Sequence, residues 1–153
     1  MSRASNTSEI DAFATRVDNP EDADVAHVRK AAPDCSDHAR GFLGSMHKGS
    51  LEFEDAEITR LAELTSIVST VLDVYLARPA VLTGLESVAA LIGSFGTDDA
   101  PLLEVIFGDA EPEGRLPFDL PPTMAAVIAS RTDVPFYTQA PLFSFGFGLR
   151  YQR

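Results

Sequence analysis

The side chains best suited to chemistry gather in one stretch. AAPDCSDHARGFLGSMHKGSLE, residues 31–52, holds Asp34, Cys35, Asp37, His38 and His47. One thiol and two imidazoles in one segment suggest metal ligation, but their spacing fits no zinc framework and no fourth ligand is evident. Neither a metal nor another cofactor is therefore expected. Asp34 and Asp37 follow Pro33, where aspartate commonly forms turns. Asp109, Glu111 and Glu113 make a second acidic cluster with the look of a carboxylate pair for acid–base work. His27 lies inside an apolar run and reads as a hydrogen-bonded core residue. Neither G-x-S-x-G nor G-x-x-x-x-G-K-[ST] occurs, so a nucleophile elbow and a phosphate loop are excluded.

The elements that must position these groups follow from hydrophobic spacing. Ile10, Phe13, Ala14 and Val17 recur at helical intervals behind Ser8, predicting a helix over 8–17, and Asp18-Asn19-Pro20 stops it. ADVAHVRK (23–30) reads as a buried strand. Residues 31–52 lack a period and form a loop, longer than the roughly 12 to 15 residues that compact domains usually tolerate without a functional reason. A helix is predicted over 54–67, with Ile58, Leu61, Leu64 and Ile67 on one stripe and Glu54, Asp55 and Glu57 in the first turn, where the helix dipole favours them. VLDVYLA (71–77) and SVAALIGSFG (87–96) read as interior strands. Asp98 starts and Gly108 stops a helix over 98–107, and MAAVIASR (124–131) reads as a last helix. Strand, helix, strand, strand, helix predicts an α/β fold with a largely parallel sheet.

The chain has 153 residues, which is room for one domain, and its 45% hydrophobic residues with mean hydropathy +0.03 supply one core. A net charge of −11, spread along the whole length, leaves no face to neutralise phosphates, so nucleic acid and anionic membrane are poor partners. The single cysteine, Cys35, fits a reducing compartment. The start MSRASNTSEID has no basic segment followed by an apolar run, and nowhere do about 20 uninterrupted apolar residues occur. A cytoplasmic protein is expected.

Two C-terminal motifs carry a resemblance. GDAEPEGRLPFDLP (108–121) and PLFSFGFGLRY (141–151) resemble the end of the α/β domain of glycoside hydrolase family 3, found in β-glucosidases and β-xylosidases. Gly108, Asp109, Pro112, Gly114, Arg115, Leu116 and Pro117 match the first motif, G-D-x-x-P-x-G-[RK]-L-P. Pro141, Leu142, Phe143, Phe145, Gly146, Gly148, Leu149 and Tyr151 match the second. ADVAHVRKAAP, GSLEF and DVYLARPAVL extend the likeness upstream, so it covers about residues 9–151. Each motif has a structural reading. Gly108 and Gly114 bracket a turn that needs positive φ or close backbone approach, Pro112 fixes φ, and the Arg115 fork bridges carbonyls or carboxylates. Phe143, Phe145 and Phe147 pack beside glycines so that the tail lies on the core. Since Asp109 belongs to the turn motif and Glu111 and Glu113 occupy its variable positions, that acidic cluster reads as a solvated face.

The resemblance implies a three-layer α/β/α sandwich with a mostly parallel sheet over residues 23–153, preceded by a segment, 1–22, with a short helix. It implies truncation on the N-terminal side, because the family domain begins at least one strand and helix earlier. Retaining glycosidases use two carboxylates about 5 to 5.5 Å apart. In the family the nucleophile is an Asp on an N-terminal (β/α)8 barrel, which would need roughly 250 residues and has no counterpart here. The acid/base, where this domain carries it, is a Glu in the loop after the ADVAIVRL-AP strand. That loop here offers only Asp34 and Asp37 before Glu52, with His47 as a candidate substrate contact. The implied function is that of a β-glucosidase-like C-terminal domain, inactive alone. The alternative is a noncatalytic module that binds sugar weakly or complements a separate barrel. Expected partners are a barrel domain, a second copy of the chain, and a weakly held sugar.

Overall fold

The computed structural model describes residues 7–35, 47–131 and 133–151. Its centre is a parallel sheet of three strands among these residues, β1 (Ala26–Ala31), β2 (Thr70–Tyr75) and β3 (Ala90–Ser94), in the order β1-β2-β3. The register pairs His27 with Val71, Arg29 with Asp73, and Val74 with Gly93. The interior position predicted for 71–77 is found in β2, buried from Thr70 to Val74. β3 differs from its predicted interior position: it pairs on one side only among the described residues, and Ala90 and Gly93 are exposed.

Helices cover both faces. α2 (Asp55–Ile67) lies against the face bearing Val28, Leu72 and Val74. It contributes Ile58 and Leu61 to the core and receives Lys30 Nζ on Glu57 at 2.8 Å. Its predicted stripe breaks at the end. Ile67 is exposed and Val68 is buried instead, because the chain leaves the helix at Val68 with extended backbone. α3 (Asp99–Phe107) covers the opposite face and buries Leu102 and Leu103. It ends at Gly108, whose φ of 86° provides the left-handed cap that a side chain would resist. α4 (Met124–Ala129) is capped by Thr123, whose Oγ1 accepts the Ala126 N–H at 3.1 Å.

The N-terminal helix is shorter than its pattern predicts. α1 spans Thr7–Ile10, and a turn follows in which Ile10 O accepts the N–H groups of Phe13 and Ala14. A ten-residue helix is marginal without tertiary support. Here Phe13 finds its partner elsewhere, stacked on Phe107 at the end of α3 with ring centroids 5.6 Å apart.

One face of the sheet holds a buried ion network. Asp73 has a fully buried side chain and accepts Arg29 Nε at 2.7 Å; the same guanidinium bonds Asp99 at the start of α3 and donates to Thr97 O at 3.1 Å. Burial alone would lower the Arg29 pKa, but the hydrogen bond and charge of Asp73, reinforced by Asp99, leave it raised. His27, next on that face, departs from the expected hydrogen-bonded core residue. Its Nε2 is buried without a partner among the described residues, and burial pushes its pKa down.

Candidate functional site

In parallel sheets, ligands bind beyond the carboxyl ends of the strands. At that end of β1 the chain passes through buried Ala32 and half-buried Pro33 to Asp34. Asp34 Oδ2 lies 3.0 Å from His47 Nδ1, Oδ1 accepts the Lys48 N–H at 3.0 Å, and Arg78 Nη1 stands 3.9 Å from Oδ1. Arg78 reaches in from beyond β2, its side chain 17% exposed, and donates to Lys48 O at 2.8 Å and Gly49 O at 3.1 Å. Cys35 N–H bonds Lys48 O at 2.9 Å. Gly49 sits at φ 86°, where a Cβ would lie 2.6 Å from Cys35 Sγ, so only glycine fits the crossing of the two strands of chain. The segment is thereby closed at its two ends by a carboxylate, an imidazole and a guanidinium.

Asp34 and His47 are brought together, whereas Asp37 and His38 lie outside the described residues. Glu52 serves elsewhere: its Oε1 accepts the Met124 N–H at the start of α4. Cys35 is an exposed free thiol, and no group of three or more His, Cys, Asp or Glu side chains is placed to hold a metal among the described residues. Arg78 was not singled out by the sequence reading. The signal was available: an arginine just before proline, at the mouth of a parallel strand, in a strongly acidic chain.

The C-terminal motifs lie side by side at this end of the sheet. Leu116 N–H bonds Phe147 O, Gly146 N–H bonds Leu116 O, and Leu120 pairs with Phe143 in an antiparallel bridge. Arg115 Nη1 donates to Gly146 O at 3.1 Å. Asp119 accepts the Phe145 N–H at 2.7 Å and the Thr138 N–H at 3.3 Å. The glycines divide their work differently from the expectation. Gly108 takes positive φ, but Gly114 does not, and a Cβ on Gly114 would meet nothing within 4 Å. The close approach belongs to Gly148, whose Cβ would fall on the Gly114 carbonyl oxygen. Pro112 is half-buried between them in sequence, and Asp109 and Glu113 are exposed. Phe143 packs on the core, whereas Phe145 and Phe147 remain exposed rather than lying flat on it.

The family model of the glycosyl hydrolase family 3 C-terminal domain matches residues 4–151. The chain belongs to this family. It is 47% identical over 138 residues to a protein named probable β-glucosidase C from Aspergillus flavus, covering 90% of this chain and 22% of that protein. It is 37% identical over 137 residues to the periplasmic β-glucosidase/β-xylosidase of Dickeya chrysanthemi, covering 87% of this chain and 21% of that protein. Among solved structures, a β-glucosidase from Listeria innocua in complex with isofagomine superimposes with a TM-score of 0.61 at 20% identity. That match covers 86% of this chain and 21% of the other, and supports the α/β fold. The family 3 C-terminal domain described here thus spans about a fifth of the length of these relatives.

Proposed function

We propose that this domain forms one wall of the sugar site of a β-glycoside hydrolase, with the nucleophile supplied by a barrel outside these residues, and that it does not hydrolyse glycosides alone. The observation that carries the reading is the Asp34–His47 hydrogen bond at the carboxyl end of β1. A carboxylate bonded to Nδ1 fixes the imidazole ring and leaves Nε2 to give or take a proton, the usual relation between an acid–base group and its orienting partner. Arg78 and the Lys48 N–H hold Asp34 from the other side, so the pair is positioned before any sugar arrives. A retaining mechanism also requires a nucleophilic carboxylate, which on this reading the barrel supplies.

The test replaces the matching fifth of the Aspergillus flavus relative with this chain and measures release of aryl alcohol from an aryl β-glucoside. Turnover is expected from the graft and none above background from the chain alone. In the graft, Asp34→Asn and His47→Gln should each lower kcat by on the order of a hundredfold, within the usual contribution of a positioned acid–base group. Turnover by the isolated chain that vanishes in Asp34→Asn would overturn the divided site. A graft indifferent to both substitutions would remove the pair from the chemistry and favour a noncatalytic, barrel-complementing role.

A further inference from the structure

We propose that the surface groove beside Phe118 and Phe136 is a second carbohydrate site, which takes a single neutral pyranose ring. The groove has a volume of about 260 Å³ and is lined by Phe118, Asp119, Arg131, Phe136, Tyr137 and Thr138, among others. Choosing a sugar as its ligand rests on the glycosidase reading; the groove itself is independent of Asp34 and His47. Phe118 packs edge-on against Phe95 with centroids 6.0 Å apart, and Phe95 directly follows β3. The groove therefore lies at the β3 end of the sheet, with β2 between it and the Asp34 cluster at the end of β1.

Its aromatic wall is exposed yet fixed. Phe136 is 55% exposed and stacks on Phe145, itself 52% exposed, with centroids 4.1 Å apart. Phe136 holds φ at 57°, a conformation bulky residues seldom adopt. Asp119 secures the arrangement by accepting the N–H of Thr138, two residues past Phe136, and the N–H of Phe145, its stacking partner. The Arg131 guanidinium lies 5.9 Å from the Tyr137 ring centroid, which holds that ring beside a cation. Rings ordered in advance lose little freedom when a ligand covers them.

The ligand chemistry follows from this wall. A pyranose presents a flat C–H face and a rim of hydroxyls; the face matches Phe136, and Arg131, held in a pair with Asp133, brings polar groups to the lining together with Tyr137 and Thr138. Asp119 in the lining and a net charge of −11 oppose a phosphorylated or carboxylated ligand. The volume falls below the roughly 300 to 1,000 Å³ of drug-sized pockets, so one ring is enough to fill it.

The test follows amide shifts of the full chain during titration with methyl β-D-glucopyranoside and, separately, glucose 1-phosphate. Saturable shifts are expected at Tyr137, Thr138 and Ser130 with the neutral glycoside, and weaker binding of the phosphate ester. Phe136→Gly removes the ring while suiting the positive φ, and should weaken affinity about tenfold, the scale of one lost aromatic contact. Arg131→Gln, a substitution on the surface, should weaken it without changing the melt. Unchanged affinity in both variants, equal or tighter binding of the phosphate ester, or no saturable shift at these amides would overturn the proposal. Shifts confined to Lys48, Gly49 and Arg78 would overturn the groove while leaving the glycosidase reading intact. Loss of hydrolysis in the graft would sink that reading without touching the groove.

Discussion

Two aspartate–arginine clusters use the same chemistry at opposite depths. Asp73 is wholly buried in β2, bonded to Arg29 of β1, which also binds Asp99 and so ties the two strands to α3. Asp34, with its side chain 22% exposed, meets Arg78 at 3.9 Å and a half-exposed His47 at the mouth of the sheet. Removing a partner from a buried carboxylate strands its charge, whereas water can replace a lost partner at the edge. Depth thus ties the first cluster to stability and leaves the partners of the second replaceable by water.

The largest effect that could break this contrast is expected at Arg29. Arg29→Met should destabilise the fold by about 3–5 kcal/mol, the range for breaking a buried pair, read as a shift in urea midpoint at constant slope. A shift below that seen on altering Asp34 would reverse the ranking. Next comes the tail at the mouth. Gly148→Val should cost about 1–3 kcal/mol by driving a side chain into the Gly114 carbonyl, while Gly114→Val should stay within about 0.5 kcal/mol; equal thermal shifts for the two would refute that assignment. Asp34→Asn should change stability by no more than about 1 kcal/mol, even though it lowers turnover in the graft. A larger loss in a denaturant melt would make Asp34 a structural residue.

A pH series sharpens the same contrast. Burial lowers the His27 pKa below its ordinary value of 6.5, with Arg29 adding to that lowering and Asp73 and Asp99 opposing it. The unfolded chain therefore binds the proton more readily than the native one. The stability contributed by keeping His27 neutral is complete above pH 6.5 and is lost as pH falls toward the lowered native value. His27→Phe should flatten this part of the stability profile. An unchanged slope between the native protein and the variant would show that His27 titrates alike in both states.

What was legible in the sequence divides along the same line. α2, α3 and β2 were readable because their signals are local: a period, a β-branched run, a glycine one residue past a helix. The Arg29–Asp73–Asp99 network was not, since it depends on a parallel pairing of strands 44 residues apart. An aspartate inside VLDVYLA was the one hint that a cation had to be near. At the edge, Asp34 and His47 were legible as types, but their meeting was not, because a long aperiodic segment does not encode where its ends return. The glycine motif showed that two backbones come close. It did not show which glycine is required, which depends on which one turns its missing side chain toward the other.

The closure of the segment at Lys48 and Gly49 also bears on how such a domain can diversify. Cys35, Lys48, Gly49 and Arg78 join the two ends by backbone and guanidinium hydrogen bonds, to which Asp34 adds its bonds to His47 and the Lys48 N–H. Once the ends of a loop are anchored, doubling its length costs only about 0.6 kcal/mol in closure entropy. The clamp acts as a fixed frame whose two ends, Cys35 and Lys48, stay together whatever length of chain joins them.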